Sequence, residues 1–587
     1  MKTIPLLFRV AAVLAAILAA SCAPVRVKAG LDLDRSGARW AAGLMSRMSL
    51  EDKVAQMIGC RYTGDFLPAD GDELAFLTRL VAKHKIGCLA IFLGGAYETA
   101  ILNNTLQTLA GVPLLIGSDL ERGTGNQITG ATLFPAIMGL GAADSEEMAY
   151  AMGRATAFEG RAVGIHMTYA PVVDVNVNPD NPIINTRAVG EDPEQVARIA
   201  GAFIRGCQDN GMLATAKHFP GHGDTDLDSH ILLPVIAADR DRLERVELLP
   251  FRKAIEAGVG AVMIAHLVVP ALDPEPQRPA SLSFAIQTGL LRRDMGFQGL
   301  IVTDAMDMGG VTKAYAPAEA AIKAIQAGAD IVLLSPEPES VLDSLKKAAR
   351  SGVLSADRID ASVRRILEAK ARLGLHRDKF VDIASLPNKL GARETSAQAR
   401  KIFEAAATLI KNNDGLLPLS STGKKTIILS LSSDCGDYYA GRVFGSEMIE
   451  RDARTEILYA DGDTGQEALD AMKERAASAD VVVCALFSSL SARKGTVGVD
   501  PRHSALVRAL VEGGKPVAAL SFGSPYFLRD FSGVAAYLCF YRNQPQMQAV
   551  AARALYGEIE LTGKLPVSLP GLFPAGHGLH LKKGVRS

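Results

Sequence analysis

Residues 217–230, KHFPGHGDTDLDSH, concentrate side chains that can transfer protons or bind metal ions. The segment holds one lysine, three histidines and three aspartates. Histidine and aspartate are good ligands for zinc or manganese. However, Gly221 and Gly223 bracket His222 in a bent connection, whereas zinc-binding histidine pairs usually lie on a fixed helical face. We therefore predict no metal, and we also predict no organic cofactor. Because Lys217 and His218 end an apolar run, we expect their side chains to point into the site and not into solvent.

Two carboxylates and one imidazole are the candidates for catalysis. Asp228 and His230 are spaced i, i+2, which in an extended segment puts both side chains on one face. The carboxylate can then hold the imidazole and fix its tautomer, so that His230 can donate and later recover a proton near neutral pH. Asp304 follows the apolar run GLIVT and offers a carboxylate for nucleophilic attack.

The elements that would position these groups form a repeating series. Short apolar or β-branched runs alternate with helical patterns, which is the rhythm of βα units around a parallel sheet. Eight such runs suit a (β/α)8 TIM-like barrel, and they cover residues 54–60, 87–93, 113–119, 166–175, 212–218, 261–266, 299–305 and 329–335. Barrel enzymes build their sites where the strands end. The polar residues there are Asp119, Asp174, Lys217, His218, His266 and Asp304.

A second alternating series follows the barrel. Its five buried runs predict a smaller, doubly wound α/β sandwich, and they cover residues 426–432, 456–462, 480–487, 516–523 and 535–541. No glycine-rich phosphate loop opens a helix after the first of these runs, which argues against nucleotide binding. The predicted domain boundaries are a signal peptide at 1–22, the barrel at 30–378, a linker at 379–400 and the sandwich at 401–587.

The composition is that of an ordinary globular protein. Hydrophobic residues make up 48% and charged residues 22% of the 587 residues. Because 63 Lys plus Arg oppose 64 Asp plus Glu, the formal charge is only -1. Such a balance produces no overall field that would attract nucleic acid or an anionic membrane. We therefore predict a small neutral ligand and no nucleic-acid partner.

The first 22 residues have the pattern of an export signal. Lys2 and Arg9 precede or flank an apolar stretch at 10–20, and small residues lead into Cys22. Residues 19–22, AASC, are similar to a bacterial lipobox, in which the cysteine becomes the lipidated first residue. We predict an exported lipoprotein anchored in the cell envelope, in the periplasm or at the cell surface. Cleavage without lipidation, giving a periplasmic or secreted protein, is the alternative.

The loop at 217–230, together with VTDAM at 302–306, resembles the β-N-acetylglucosaminidase branch of glycoside hydrolase family 3, the NagZ-like enzymes. The pattern K-H-F-P-G-H-G-D-T-x-x-D-S-H of that branch matches this chain at every specified position. Further matching stretches are distributed along nearly all of the mature chain; they are IGSDLERG, LFPAIMGLGAAD, YAPVVDVN, NTRAVGEDP, NNDGLLPL and GKLPVSLP. The resemblance implies a retaining double displacement on a glycoside.

Carried over by position, the resemblance implies roles for seven residues. Asp304 corresponds to the nucleophile that attacks the anomeric carbon. His230 corresponds to the general acid/base, and Asp228 orients it. The residues implied to bind hydroxyls and the 2-acetamido group of the nonreducing-end ring are Asp119, Arg187, Lys217 and His218.

The activity that this implies is the removal of terminal β-linked N-acetylglucosamine from muropeptides or chitooligosaccharides. Because a neutral imidazole repels an incoming anion less than a carboxylate does, phosphate is an alternative to water as the acceptor. A β-N-acetylglucosaminide phosphorylase is therefore the alternative enzyme. A noncatalytic sugar-binding envelope lipoprotein is the alternative from another class, and the intact set of catalytic candidates argues against it. We expect the second domain to brace the barrel and wall the cleft.

Some positions depart from the family or keep more than one interpretation. Family members often have E-G-G-R after the aspartate at the position of Asp119, whereas here the arginine stands at Arg122, directly after a glutamate. We expect this shift to alter what is accepted beyond the first sugar. For Arg187, the alternative to sugar binding is a structural ion pair with Glu191 or Asp192.

Three residues near the expected barrel mouth have less definite roles. His166 and Asp174 are placed there by the run at 166–175, and Asp174 is interpreted as a group that orients another side chain. His266 either binds substrate or satisfies a hydrogen bond in the core.

Overall fold

The computed structural model describes residues 32–420, 424–488 and 497–584. The predicted signal peptide, with the candidate lipidation site Cys22, lies outside these ranges. Within them, no helix combines the length and the apolar character that crossing a membrane requires.

Eight parallel strands form a TIM-like barrel, which confirms the predicted fold class. Their order around the sheet is β8, β7, β6, β5, β3, β2, β1, β9, and a bridge between Val302 and Ile331 closes the ring. A short ninth strand, β4, pairs with β2 outside this ring. The bounds are β1 Ile58–Gly64, β2 Cys88–Gly95, β3 Leu115–Ser118, β4 Ile128–Thr129, β5 Met167–Thr168, β6 Leu213–Phe219, β7 Ala261–Ile264, β8 Leu300–Thr303 and β9 Val332–Leu333. Most of these strand residues are buried, as expected for a parallel sheet covered on both faces.

Helices surround this sheet and begin at polar caps. Asp192 accepts a hydrogen bond from the Glu194 amide and precedes a proline, which favours a helix start. The α-helices of at least seven residues are Arg35–Met45, Leu50–Gln56, Asp72–Thr78, Ala96–Leu109, Ile137–Ala143, Glu146–Ala162, Pro193–Gln208, Leu249–Glu256, Pro317–Ala327, Pro338–Arg350 and Ala356–Arg372. A π-helical segment covers Ala285–Asp294.

Three of the predicted barrel strands differ from the observed ones. The run at 329–335 is reduced to the two-residue strand β9, Val332–Leu333. The first half of the run at 54–60 belongs to the helix Leu50–Gln56, because Ser49 caps that helix by accepting the Asp52 amide. The run at 166–175 forms only the two-residue strand β5, since Pro171 has no amide hydrogen to continue the ladder.

The second domain is an α/β sandwich, as predicted, with one strand more than expected. Its sheet order is β10, β15, β14, β13, β11, β12, with β10 antiparallel to β15 and the other pairs parallel. The missed strand, β10, precedes the predicted series. The bounds are β10 Thr408–Asn412, β11 Thr426–Ser432, β12 Glu456–Ala460, β13 Val481–Phe487, β14 Val517–Phe522 and β15 Ala536–Cys539.

The sandwich carries its own helices, and further helical segments cover part of the stretch predicted as a linker. Residues 386–389 form a short helix, and a longer one begins at Arg393. The helices of this half are Arg393–Ala406, Arg442–Arg451, Gln466–Ala477, Pro501–Glu512 and Pro545–Leu555.

The sandwich contacts the barrel through segments that follow strands in both domains. Asn176 Nδ2 donates to the Tyr526 hydroxyl over 3.1 Å, joining the segment after β5 to the segment after β14. Gln544, which follows β15, donates through Nε2 to the Phe134 carbonyl over 2.8 Å. In parallel sheets the side-chain sites form at the carboxyl ends of the strands. The second domain therefore lies beside the barrel mouth.

Candidate active site

A buried lysine at the end of β6 joins two carboxylates from the segment after β3. Lys217 Nζ lies 2.7 Å from Asp119 Oδ1 and 2.8 Å from Glu121 Oε1. Burial by itself lowers the pKa of Lys217, but the two carboxylates outweigh burial and raise the pKa above its ordinary value. The lysine is therefore charged at neutral pH and is held in a fixed position at the barrel mouth.

Arg187 binds the same glutamate. Its Nη2 lies 2.7 Å from Glu121 Oε1 and its Nε lies 3.1 Å from Glu121 Oε2, which is a bidentate pair. The predicted alternative partners lie elsewhere: Glu191 accepts the Ser568 amide over 2.8 Å, and Asp192 caps a helix. Burial raises the pKa of Glu121, but the two cations lower it well below its ordinary value.

Glu121 is a residue of the candidate site that the sequence reasoning did not single out. It lies inside the matching stretch IGSDLERG, between the predicted Asp119 and the shifted Arg122. The signal was its place in that motif. Glu121 binds Arg187 and Lys217, and the family resemblance implies a sugar-binding role for both of these residues.

Asp174 orients His218, as interpreted from the sequence. Asp174 Oδ2 lies 2.7 Å from His218 Nδ1, and Oδ1 accepts the backbone amides of His218 and His222 over 3.1 and 2.8 Å. This carboxylate is fully buried. Burial raises its pKa, but the charge and hydrogen bonds of His218 outweigh burial and lower the pKa of Asp174. The other ring nitrogen of His218 lies 3.4 Å from Arg187 Nη2.

His222 braces the loop that carries the acid/base candidate. Its Nδ1 lies 2.9 Å from Thr225 Oγ1 and its Nε2 lies 2.9 Å from Ser229 Oγ, so both ring nitrogens are engaged within the loop. Burial lowers the pKa of His222 to about 4, and the ring is therefore neutral at neutral pH. Gly223 is required for close packing, because a Cβ built there would lie 1.8 Å from the Val175 carbonyl oxygen.

Over the described ranges, no group of three or more His, Cys, Asp or Glu side chains is arranged to hold a metal ion.

The Asp228 and His230 side chains meet, although through a turn and not through an extended segment. Asp228 Oδ1 accepts the His230 backbone amide over 2.9 Å and lies 2.8 Å from His230 Nδ1. Aspartate favours such a local turn because its side chain reaches the backbone two residues on. The Asp228 side chain is buried, whereas 28% of the His230 side chain is exposed. Nε2 of this ring has no hydrogen-bond partner in the part of the protein that the structure describes, so it is available to a ligand.

Asp304 lies directly after β8 and is held by backbone groups. Its amide donates to the Ile264 carbonyl over 2.9 Å, and its Oδ1 accepts the Ala305 amide over 2.8 Å. Burial by itself raises the pKa of this carboxyl, but three neighbouring histidines and the Ala305 amide lower the pKa of Asp304 to about 2. Those histidines are His218, His266 and His230. The carboxylate is therefore ionised and available as a nucleophile over the physiological pH range.

His266 and His166, the two other histidines considered from the sequence, lie at opposite ends of the barrel strands. His266 has both nitrogens bonded, Nδ1 to Ser281 Oγ at 2.7 Å and Nε2 to the Ala305 carbonyl at 3.0 Å, so it satisfies core hydrogen bonds and supports the backbone beside Asp304. The placement of His166 near the mouth is wrong. It precedes β5 and accepts the Ile116 amide over 3.1 Å, at the opposite, amino-terminal end of the strand.

The site thus combines an ionised carboxylate and a histidine with an available Nε2. Beside them lies a group of ion-paired side chains, here called the clamp, formed by Asp119, Glu121, Arg187 and Lys217. The carboxylate can attack a carbon centre, and the histidine can protonate a departing oxygen. The clamp can fix the orientation of a polyhydroxylated ligand.

Family models match both domains of the chain. The glycosyl hydrolase family 3 N-terminal domain matches residues 49–369, and the C-terminal domain of the same family matches residues 407–574. The first match alone covers more than half of the 587 residues.

The similarity to known proteins extends over nearly the whole chain. A beta-N-acetylglucosaminidase/beta-glucosidase of Cellulomonas fimi is 29% identical over 556 residues, which are 92% of this chain and 97% of that protein. The structure of a family 3 beta-N-acetylglucosaminidase from Paenibacillus sp. str. FPU-7 is 33% identical, with a TM-score of 0.79, and covers 89% of this chain and 99% of that one. The beta-glucoside phosphorylase BglX, bound to 2FGlc, is 28% identical with a TM-score of 0.83 over 92% of this chain and 97% of its own. The chain belongs to glycosyl hydrolase family 3 and is a glycoside hydrolase.

Proposed function

We propose that the protein is a retaining exo-β-N-acetylglucosaminidase. The observation that carries the proposal is the combination of an ionised Asp304 with a His230 ring that Asp228 holds through Nδ1. The similarity to β-N-acetylglucosaminidases over nearly the whole chain supports the choice of sugar.

The reaction proceeds in two displacements. In the first, an Asp304 carboxylate oxygen bonds to the anomeric carbon while the glycosidic C–O bond breaks, and His230 gives its Nε2 proton to the leaving oxygen. In the second, the neutral His230 takes a proton from water, the water oxygen bonds to the anomeric carbon, and the bond to Asp304 breaks. The anomeric configuration is retained because it is inverted twice.

The clamp holds the nonreducing sugar for both steps. Asp119, Lys217 and Arg187 offer charged acceptors and donors to the ring hydroxyls, and His218 is aligned with them by Asp174. Charge-assisted hydrogen bonds of this kind are strong and directional. The 2-acetamido group is bound in the same pocket.

We assign the enzyme to the cell envelope, anchored by a lipid on Cys22, where muropeptides or chitooligosaccharides supply terminal N-acetylglucosamine. Replacing Cys22 by serine should move the protein from the membrane fraction to the buffer extract. Unchanged membrane association of the C22S variant would contradict the anchor and leave the activity proposal intact.

Phosphorolysis is the second candidate function. It is favoured by an imidazole, in place of a carboxylate, as acid/base, and by the similarity to a beta-glucoside phosphorylase over 92% of this chain. In that case phosphate, and not water, would bond to the anomeric carbon in the second displacement, and the product would be a sugar 1-phosphate.

One assay panel tests these proposals. Aryl β-glycosides that differ only at C2, carrying either an acetamido or a hydroxyl group, are assayed with and without phosphate, and the sugar product is identified. We expect preference for the acetamido substrate, free N-acetylglucosamine as product, and no turnover by Asp304→Ala. A sugar 1-phosphate that forms faster than free sugar would establish the second candidate. A preference for the hydroxyl substrate would contradict the proposed specificity.

A further inference from the structure

Two arginines from different domains lie beside the clamp and have no role in the reaction described above. Arg122 directly follows Glu121, and Arg542 follows β15 in the second domain. Both residues are partly buried. Arg122 is also the arginine whose position departs from the family pattern.

Two hydrogen bonds of the Phe134 backbone bring the segments of the two arginines to the same seam, which is the boundary between the barrel and the sandwich. The Phe134 amide donates to the Arg122 carbonyl over 2.9 Å. The Phe134 carbonyl in turn accepts Gln544 Nε2 over 2.8 Å, and Gln544 is two residues from Arg542. These contacts tie the segment after Glu121 to the segment after β15 across the domain boundary.

The guanidinium groups are close enough to repel each other. Burial, and then the charge of Arg542, lower the pKa of Arg122 to about 9. Burial also lowers the pKa of Arg542, while Glu121 and Arg187 are the charged groups that act on it. A lowered pKa means that each charge is held in an unfavourable place.

Glu121 attracts both charges, but neither guanidinium has a direct acceptor in the described part of the protein. Within residues 32–420, 424–488 and 497–584, neither guanidinium has a hydrogen bond or an ion pair, whereas Arg187 and Arg529 are both paired. Both oxygens of Glu121 already bind Arg187, and one of them also binds Lys217. The cluster therefore holds four cations, Lys217, Arg187, Arg122 and Arg542, against three carboxylates, Asp119, Glu121 and Asp174. Asp174 is engaged with His218.

The local backbone adds to this positive potential. The helix Pro545–Leu555 begins three residues after Arg542, and the residue before it, Gln544, makes no side-chain cap bond to the helix. The amino end of a helix favours negative charge. Partly buried cations without partners are costly, and proteins pair them or bind an anion to them.

We propose that Arg122 and Arg542 together form an oxyanion-binding site at the domain seam, beside the clamp for the nonreducing sugar. Guanidinium groups bind sulfate, phosphate and carboxylate through paired N–H donors. The site neighbours Glu121 and Arg187, so the anion lies on the clamp side of the sugar ring. Its source is either an acidic substituent of the bound sugar, which rests on the proposed function, or a free inorganic anion.

The first experiment tests the sugar-borne source. The wild type, the double variant R122Q/R542Q and the control R529Q are assayed on 4-methylumbelliferyl N-acetyl-β-glucosaminide and on its 6-sulfate and 3-O-lactyl derivatives. Arg529 is a suitable control because it lies in the same domain interface but is paired with Asp180 at 2.6 Å. We expect the ratio of kcat/KM for a charged substrate to that for the neutral one to fall roughly tenfold to hundredfold in the double variant. The control should keep the wild-type ratio.

The second experiment tests the free anion and does not depend on activity. Thermal unfolding of Asp304→Asn is followed with increasing inorganic phosphate or sulfate, against chloride at equal ionic strength. We expect phosphate or sulfate to raise the Tm of this variant, and expect no such rise when R122Q/R542Q is added. Adding R529Q instead should leave the rise unchanged.

The outcomes separate the two sources and separate this proposal from the proposed function. A charged-substrate preference that the double variant loses supports the sugar-borne anion, and a Tm rise that it loses supports the free anion. If the wild type hydrolyses none of the substrates but phosphate still stabilises the protein through the two arginines, the proposed function fails and the oxyanion site stands. If neither charged substrates nor free anions distinguish the wild type from R122Q/R542Q, the oxyanion site is refuted.

Discussion

Replacing Asp228 by asparagine isolates the charge that holds the acid/base. The amide oxygen of asparagine can still accept the two hydrogen bonds that Asp228 Oδ1 now receives, from the His230 amide at 2.9 Å and from Nδ1 at 2.8 Å. The ring therefore keeps its place. The variant loses the attraction between a carboxylate and the protonated imidazole that donates to the leaving group.

The size of that attraction follows from the geometry. Two unit charges about 4 Å apart attract by about 4 kcal/mol at an effective dielectric constant of about 20. The Asp228 side chain is buried, but 28% of the His230 side chain is exposed and solvent screens part of the interaction. We expect about 2 to 3 kcal/mol to remain, which corresponds to a rate factor of about 30 to 150 because 1.36 kcal/mol is tenfold.

The assay compares leaving groups. Wild type and D228N are measured on chitobiose, whose leaving oxygen needs a proton, and on the 2,4-dinitrophenyl glycoside, whose leaving group does not. We expect kcat/KM to fall about 30- to 150-fold on chitobiose and less than about threefold on the dinitrophenyl substrate. An equal loss on both substrates would refute the role of Asp228 in proton donation.

The double variant supplies the control. In a His230→Ala background the carboxylate has no ring to act on, so adding D228N should change chitobiose turnover no further. A second large loss in that background would show that Asp228 acts on something other than His230.

The remaining predictions concern the nucleophile and the clamp. Asp304→Asn keeps the size of the side chain but removes its charge, and it should lower kcat on the dinitrophenyl substrate by on the order of 10⁴-fold. Intact-protein mass spectra of this variant should show no covalent adduct. A detectable adduct would contradict the nucleophile assignment. The pKa of Asp304 is lowered to about 2 in the wild type, and His218, His266 and the Ala305 amide still lower it when His230 is removed. His230→Ala should therefore show no inflection of kcat/KM on that substrate from about pH 7 to about pH 4, and an inflection at about pH 5 would contradict it. The unfolded carboxyl ionises near about 3.9, so the same shift stabilises the fold above that pH and the contribution is lost as the pH falls toward 2. Glu121→Gln removes the charge of a carboxylate that binds the buried Lys217 and the partly buried Arg187. This should reduce the free energy of unfolding in urea by about 3 to 5 kcal/mol. A loss below about 1 kcal/mol would mean that neither cation depends on this carboxylate for stability.

The fold was predictable where residues report their surroundings locally. Apolar runs such as residues 481–487 are buried from end to end, and their alternation with helical patterns predicted both domains. The misses have local causes as well. The cap at Ser49 turned part of an apolar run into a helix. Strand β10, Thr408–Asn412, forms because β15 offers it an antiparallel edge 124 or more residues away, with Asn412 opposite Ala536.

The contact between Asp228 and His230 was also predictable, because the two residues are close along the chain. Asp228 and His230 are two positions apart, so their contact needed only a turn that aspartate itself promotes. The extended geometry assumed for them was wrong, yet the same two side chains meet, because the separation along the chain is too short to keep them apart.

The sequence alone predicted a barrel and a sandwich, a candidate proton-transfer pair at 228 and 230, and a candidate nucleophile at 304. Which charges meet in the clamp depends on the packing of distant segments and could not be predicted from the sequence. Glu121 binds Arg187 across 66 positions, and Asp174 binds His218 across 44. The tertiary structure also brought Arg542 of the second domain toward Arg122. The physical reason is that periodicity reports which face of an element is buried, whereas the partner of a charge depends on which strand ends meet around the mouth, and that is set by the packing of the whole barrel and its neighbour.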